Sequence, residues 1–390
     1  MNIIVVGAGF SGSIIARKIV DELNIPVTII EKRPHIAGNM YDELDEHNIL
    51  VQKYGPHVLV SNNWNVIKCL QKYSSMKPYV VKELTVIDGK YVRLPYNYES
   101  IQQLVGPEKA MHILSKLRNS YPDKKKIPIR ELIQTTDSEL NAFAQMLYDK
   151  AYRTYCAKQW GLSPDILDYS IMDRVPLYLS YQERYMDKDF QFIPEKGFTK
   201  LFEKILDHPK IKIKLNTDFN EKSEMKNKHI YYDGEKVDLL VYTGALDELF
   251  NNKYGELPYR SLNIEYEWQD VPRVFPEAII SYPQAIGYTR KTEYRYLSGG
   301  NNPKGTTIAT EYPCSYKKGT SLTPFYPVIT DETKKIYEQY KNELNQYPGV
   351  FVCGRLAEFR YYNMDECIEQ AYHTYKTISS YLRNNPNIGE

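Results

Sequence analysis

The run "MNIIVVGAGFSG" constrains this chain more than any other stretch. Ile3 to Val6 are apolar and β-branched over strand length, and Gly7, Gly9 and Gly12 interrupt them at once. The residues after the glycines, "SIIARKIVDEL", carry apolar side chains at helical spacing, and "PVTIIEKR" returns to strand. The spacing predicts a βαβ unit over residues 1–33, and such a unit needs a parallel sheet with helices covering it. Each glycine there has its own physical task. Gly7 permits the tight turn, Gly9 lets a pyrophosphate approach the backbone, and Gly12 lets helix pack on strand. Phe10 and Ser11 open the helix, whose exposed N–H groups favour an anion. Glu31 ends the second strand, where an acid accepts hydrogen bonds from an adenosine ribose. The pattern points to a dinucleotide site; the plainer alternative is a glycine-rich turn without a ligand.

The dinucleotide is FAD or NAD, and later segments argue for FAD. In "EKRPHIAGNMYDE" the acid is followed by Lys32, Arg33 and then Ala37-Gly38-Asn39, which resembles the basic and glycine-containing segment that wraps the FAD pyrophosphate in many flavoproteins. "LLVYTGALDELF" (239–250) reads as a late strand ending in Thr-Gly against the cofactor. "VFVCGR" (350–355) reads as a further strand whose following helix begins at the cofactor, so that Arg355 and Met364 reach the flavin. The alternative for Arg355 is a surface pair with Glu358.

The rest of the chain bounds the answer. With 390 residues it is long enough for more than one core, and a net charge of +1 gives no bulk attraction to nucleic acid or an anionic membrane. The five cysteines are scattered without a CxxC pair, which favours reduced thiols in the cytoplasm over a disulfide framework or zinc. No run approaches the roughly 18 apolar residues of a membrane span. Tyrosine is over-represented, 36 against 12 phenylalanines, consistent with both genome composition and a polar aromatic cleft. Periodicity predicts strands at 79–94 with a turn at Asp88-Gly89, helices from about 98 to 185, strands again at 211–242, alternation through 261–315 including "YRYLSGG" (294–300), a helix at 330–347 and a last helix at 363–383.

Ten segments taken in order resemble the flavin-dependent UDP-galactopyranose mutase family: "YGPH" (54–57), "RLPYN" (93–97), "AKQWG" (157–161), "DRVP" (173–176), "FIPEKGFTKL" (192–201), "YGELPYRSL" (254–262), "YTR" (288–290), "TEYP" (310–313), "FYPV" (325–328) and "GRLAEFRYYNM" (354–364). Singly they are weak; as an ordered set over nearly the whole chain they are specific. The resemblance implies an α/β fold with a Rossmann-like FAD-binding domain (1–78 with 195–260 and 345–390), an inserted helical domain (98–190) and a twisted antiparallel β-sheet substrate domain (79–97 with 261–330). It implies a redox-neutral isomerase interconverting a nucleotide-linked hexopyranose and its furanose for cell-surface polysaccharide synthesis such as O-antigen. UDP-galactopyranose is the favoured substrate. FAD acts in its reduced form, with N5 as nucleophile toward the sugar's anomeric carbon, and NAD(P)H or another reductant supplies the electrons. A cytoplasmic homodimer without nucleic acid, membrane or metal completes the expectation.

By the same resemblance, Arg174 and Arg290 clamp the diphosphate, since a guanidinium fork suits phosphate and keeps its proton. Tyr155, Tyr185, Tyr312 and Tyr361 donate hydrogen bonds to it. Trp160 and Asn97 lie near nucleotide and sugar, and His57 sits beside the flavin ring with its backbone carbonyl toward N5. The segment "RYMDKDFQF" (184–192) is a candidate lid.

The sequence departs from the family pattern at three places. Val60 stands where a second histidine is usual, Asn363 where an acid follows Tyr-Tyr, and Cys156 where a threonine follows Tyr155. Each removes polarity, so a less polar sugar pocket is expected, and dTDP-fucopyranose, a 6-deoxy sugar, becomes the close alternative substrate. A flavin amine oxidase and a non-enzymatic dinucleotide-binding protein are the rival classes.

Overall fold

A computed structural model describes residues 1–163, 172–298 and 304–386. Strand Ile3–Val6, helix Phe10–Leu23 and strand Val27–Ile30 form the βαβ unit. They belong to a five-stranded parallel sheet in the order 211–214, 27–30, 3–6, 239–242, 350–352. The helix stops at Asn24, which takes the left-handed conformation at φ 61°. Gly7 has φ +99°, and a Cβ at Gly12 would lie 2.0 Å from the Gly7 carbonyl oxygen, so helix and strand approach as closely as backbone allows. The last helix, Met364–Asn384, runs against Phe10–Leu23. Ile14, Ile15 and Ile19 meet Ile368, Ala371 and Ile378 there, with Phe198 and Phe202 from helix Phe198–Leu206. Each buried isoleucine contributes about 1.5–3 kcal/mol through removal of apolar area from water.

The second sheet has seven strands in the order 326–327, 259–269, 306–315, 290–293, 279–281, 83–87, 90–94. Neighbours run antiparallel except Ile279–Ser281 and Glu83–Ile87, which are parallel. The hairpin between the last two strands turns at Asp88 and Gly89, both at positive φ. Register decides what this sheet presents. Thr85 pairs with Ser281, Ser281 with Arg290, and Arg290 with Glu311, so four polar residues stand side by side on one face. Their neighbours Leu84, Ile280 and Ile308 pack together on the other face with Phe275.

Helices Tyr98–Val105, Pro107–Ser120, Ser138–Leu147 and Thr154–Trp160 form a third layer around Ile101, Ile113, Leu117, Phe143 and Leu147. A π-helical turn, Tyr148–Arg153, joins the last two, and Gly161 ends the series at φ +67°. The expected strand character of 294–300 is overturned: Tyr294–Ser298 is a short helix that buries Tyr294 and Leu297, three apart, against Ile279 and Ala309. Gly299 and Gly300 lie outside the described residues.

The packing under the first turn gives a contrast to measure. Gly12→Ala forces a side chain into the Gly7 carbonyl and is expected to cost about 1–3 kcal/mol of stability. At Gly9 an added Cβ comes no closer than 3.8 Å, to Gly38 Cα. Gly9→Ala is therefore expected to keep the wild-type unfolding midpoint in denaturant titrations of the cofactor-free protein.

Candidate active site

Two cavities meet at one wall. The first, about 1230 Å³ and open to solvent, follows the carboxyl ends of the parallel strands. Gly7, Gly9, Phe10, Ser11, Glu31, Lys32, Gly38, Asn39, Arg355 and Met364 all line it. Gly12 does not, since it packs under Gly7. Both long helices begin here, Phe10–Leu23 with Phe10 and Ser11, and Met364–Asn384 with Met364 and Cys367. Their first-turn N–H groups have no intrahelical partner and offer a site for a pyrophosphate. The Glu31 carboxylate is held in place by the backbone N–H groups of Ala8 (2.8 Å) and Arg33 (3.0 Å). Gly38 has φ +55°, and a Cβ there would come within 3.0 Å of Gly9 Cα, so two glycine backbones face each other across the floor.

Arg33 also lines this cleft. Its guanidinium donates to Asn39 Oδ1 at 2.9 Å and lies 4.6 Å from the Tyr54 ring centre, while its Nη1 is buried without a partner. A buried guanidinium N–H left unpaired at the mouth of a glycine cradle suits an anionic ligand group. Lys32, by contrast, faces Glu248 at 3.7 Å.

The second cavity, about 1000 Å³ with the space it opens to solvent, lies between the seven-stranded sheet and the helical layer. Tyr155, Cys156 and Trp160 reach it from helix Thr154–Trp160, spaced so that they share one face. Arg290 reaches it from the sheet, and Arg174, Tyr185 and Tyr361 from loops. Tyr326 and Tyr361 stack at 5.0 Å with planes 6° apart, and the Arg174 guanidinium lies 3.9 Å from the Tyr361 ring centre. Trp160 closes this aromatic cluster at 6.0 Å from Tyr326. Burial pushes the phenols of Tyr155, Tyr185 and Tyr326 above their ordinary values, so they remain hydrogen-bond donors across the physiological range.

The shared wall is Phe325, Tyr326 and Arg355. Phe325 lines the first cavity and Tyr326 the second. Arg355 donates to the Tyr362 carbonyl and, at 3.2 Å, to the Phe325 carbonyl, and lies 5.0 Å from the Tyr326 ring centre. The alternative of a surface pair with Glu358 does not hold: Glu358 accepts from Gly354 N–H and Tyr362 OH instead.

Arg290 makes a two-point ion pair with Glu311, at 2.9 and 2.8 Å, and Glu311 is 2% exposed. Gly55 packs over this pair, with room for a Cβ only 3.4 Å from Glu311 Oε1. His57 follows in the same loop, with the Gln52 side chain donating to its carbonyl at 3.0 Å and accepting from its N–H. Its Nδ1 is buried without a partner. Burial, then the nearby Arg355 and Arg290, push the imidazole down to about 3, so it is neutral.

Other residues expected at the site are placed elsewhere. Tyr312 follows Glu311 in strand Thr306–Ser315, and strand alternation turns its ring to the opposite face, 6.1 Å from Tyr288. Asn97 is fully buried as a helix cap, accepting from Ser100 N–H and donating to the Gln182 carbonyl. Val60 is buried in strand Leu59–Ser61 opposite Gln191, away from both cavities. Asn363 accepts from Arg174 Nη2 at 2.8 Å, so its uncharged amide has a partner at the cavity edge. Of the three departures, Cys156 lines this cavity, Asn363 stands at its edge and Val60 is elsewhere, and the wall also includes Glu83, Thr85 and Ser281. Among the site residues that escaped the sequence reading are Phe325, Glu83, Glu311 and Tyr326. The last two stand in "TEYP" and "FYPV", and period-2 alternation was the signal that separates Glu311 from Tyr312. The candidate lid is pinned in part, with Gln191 donating to the carbonyls of Met186 and Lys188.

Comparison with known proteins shows the family and the fold. Residues 150–361 match the family model for UDP-galactopyranose mutase, and residues 5–73 that for an NAD(P)-binding Rossmann-like domain. The dTDP-fucopyranose mutase of Escherichia coli is 31% identical over 98% of this chain and 99% of its own. The UDP-galactopyranose mutase of Mycoplasma pneumoniae is 28% identical over 95% and 94%. A crystal structure of reduced UDP-galactopyranose mutase superposes with TM-score 0.73 over 99% of this chain and 95% of that one, at 17% identity. A fatty acid isomerase from P. acnes, at TM-score 0.59 and 14% identity, shares the fold alone. No helix among the described residues is long and apolar enough to cross a membrane. The chain belongs to the UDP-galactopyranose mutase family of pyranose–furanose mutases and is an isomerase.

Proposed function

We propose that the first cavity holds FAD and the second a nucleoside diphosphate sugar, and that the protein interconverts the pyranose and furanose forms of that sugar, UDP-galactopyranose being the first candidate. The observation that carries this reading is the shared wall. A cradle for a dinucleotide opens at Arg355 and Phe325 onto a cavity that holds two arginines and a cluster of phenols. The fit to FAD is supported by the facing glycines, the two helix N-termini and the unpaired Arg33 Nη1. Glu31 would hold the ribose, and Arg33 with the helix N-termini the pyrophosphate. When bound and reduced, the flavin supplies a nucleophilic nitrogen for the sugar's anomeric carbon as the diphosphate departs, so no electrons are consumed over a cycle.

The chain's own residues then position and neutralise. Arg174 offers its guanidinium from the cavity edge, and Arg290 offers Nη1, since its other two nitrogens serve Glu311. Together with the protonated phenols of Tyr155, Tyr185 and Tyr326, and with the Tyr361 hydroxyl, they hold the diphosphate while it leaves and returns. Neutral His57 beside Arg290 and Arg355 adds no positive charge, and its carbonyl is oriented by Gln52. The dTDP-6-deoxy sugar is the second reading, supported by the 31% identity to dTDP-fucopyranose mutase. Steady-state turnover of UDP-galactopyranose and dTDP-fucopyranose under dithionite tests both; conversion of neither would end the proposal.

The two arginines are expected to differ when removed. Arg174→Ala should weaken nucleotide-sugar binding by about 10- to 100-fold while leaving the thermal midpoint unchanged. Arg290→Ala strands a buried carboxylate and should cost about 3–5 kcal/mol of stability as well as activity.

His57 makes a pH prediction. Its folded value, about 3, lies below the ordinary imidazole value, so the unfolded chain binds the extra proton more readily. The stability due to neutral His57 is complete above the unfolded imidazole value and is lost as pH falls from there toward about 3. In urea unfolding across that window, His57→Gln should lose less stability than the wild type.

A further inference from the structure

Glu83 stands in the wall of the second cavity, and nothing above uses it. It is the first residue of strand Glu83–Ile87 and is 4% exposed. Alternation sends Glu83 and Thr85 to the cavity and Leu84 to the apolar face behind. The charged and titratable groups facing it are Arg290 and Glu311 from the sheet, Tyr155 from the helical layer, Tyr185 from the loop and Tyr79 from the segment leading into its own strand. Arg290 is already matched by Glu311 at two points. A second carboxylate beside that pair would be buried without a counter-charge of its own, so the protonated form is favoured. Burial above all, opposed by Arg290 and assisted by Glu311, pushes Glu83 up to about 7.

The other groups on this wall cannot exchange a proton near neutrality. Buried phenols hold theirs, the Cys156 thiol is pushed up to about 11, and guanidinium does not let go of its own. His57, on the adjoining loop, is pushed down to about 3 and does not carry one. A residue that both gives and takes a proton must lie near the working pH. Sugar ring isomerisation needs such a residue: the ring oxygen must gain a proton as its bond to carbon opens, and a different hydroxyl must lose one as it closes.

We propose that Glu83 exchanges protons with the sugar in this cavity, donating to the ring oxygen as the ring C–O bond breaks with its electron pair going to oxygen, and recovering a proton from the hydroxyl whose oxygen bonds carbon to close the new ring. The two transfers balance, and no co-reactant is consumed. This role rests on the mutase reading above.

The test is Glu83→Gln, which keeps size and hydrogen bonding but cannot ionise. With whichever of UDP-galactopyranose or dTDP-fucopyranose the wild type converts, kcat should fall by roughly 100-fold or more while KM changes little. The wild-type kcat should fall as pH rises through the Glu83 ionisation, and that limb should be absent in the variant. Infrared titration of wild-type protein carrying 13C-glutamate should show a carboxyl band lost near neutrality, and Glu83→Gln should lack it. The wild-type band needs no turnover, and its assignment to Glu83 is read in variant protein shown by circular dichroism to be folded. An active wild type with unchanged kcat and pH limb in Glu83→Gln overturns the inference alone, as does a wild type with no carboxyl titrating near neutrality. A wild type that converts neither sugar overturns the mutase reading and this inference with it.

Discussion

The ion pair between Arg290 and Glu311 organises the site. It sits side by side on two strands of the seven-stranded sheet, with Glu311 almost fully buried and the Gly55 loop packed over it. Removing two charges from water is costly, and close two-point hydrogen bonding offsets that cost only where the geometry is held rigidly. A sheet supplies that rigidity. Once formed, the pair fixes the direction of Arg290, leaving Nη1 as its remaining nitrogen, and denies a counter-charge to the neighbouring Glu83. Arg290 itself, after Arg355, adds positive potential near His57, which reinforces the effect of burial in keeping that imidazole neutral.

On the proposed function, the molecule separates two tasks in space around this centre. Parallel strands and two helix N-termini build a rigid cradle for a long anionic ligand, using backbone groups and glycines. The cavity beyond Arg355 is built from side chains, with aromatic faces, phenolic hydroxyls and guanidinium groups. Backbone cradles tolerate variation in side chains, while a side-chain cavity changes with each substitution. A chain about 30% identical to characterised relatives can therefore keep its cradle and still differ in which sugar it accepts.

Much of the cradle was legible because its signals are local. Gly7, Gly9, Gly12 and Glu31 lie within one βαβ unit, where turn chemistry and strand period act over a few residues. The arginines and most of the tyrosines came from an ordered set of motifs. The misplaced residues failed for a different reason. Tyr312 and Glu311 are adjacent, and which one faces the cavity depends on how strand 306–315 pairs with 290–293. Asn97 reads as a polar residue near a sugar, yet its side-chain oxygen is taken by local capping and its amide nitrogen by the Gln182 carbonyl.

The sequence by itself determined the strand–glycine–helix cradle, the class of cofactor it suits and the family of the reaction, since each is encoded in short contiguous spacing or in motif order. Only the tertiary structure decided that Glu311 neutralises Arg290, that Tyr326 joins the aromatic wall, that Val60 stands apart, and that Glu83 is buried without a counter-ion among the described residues. Those facts depend on register between strands far apart in the chain and on which charges share a low-dielectric space. Neither is written in any single segment, because burial and pairing are properties of neighbours that only folding brings together.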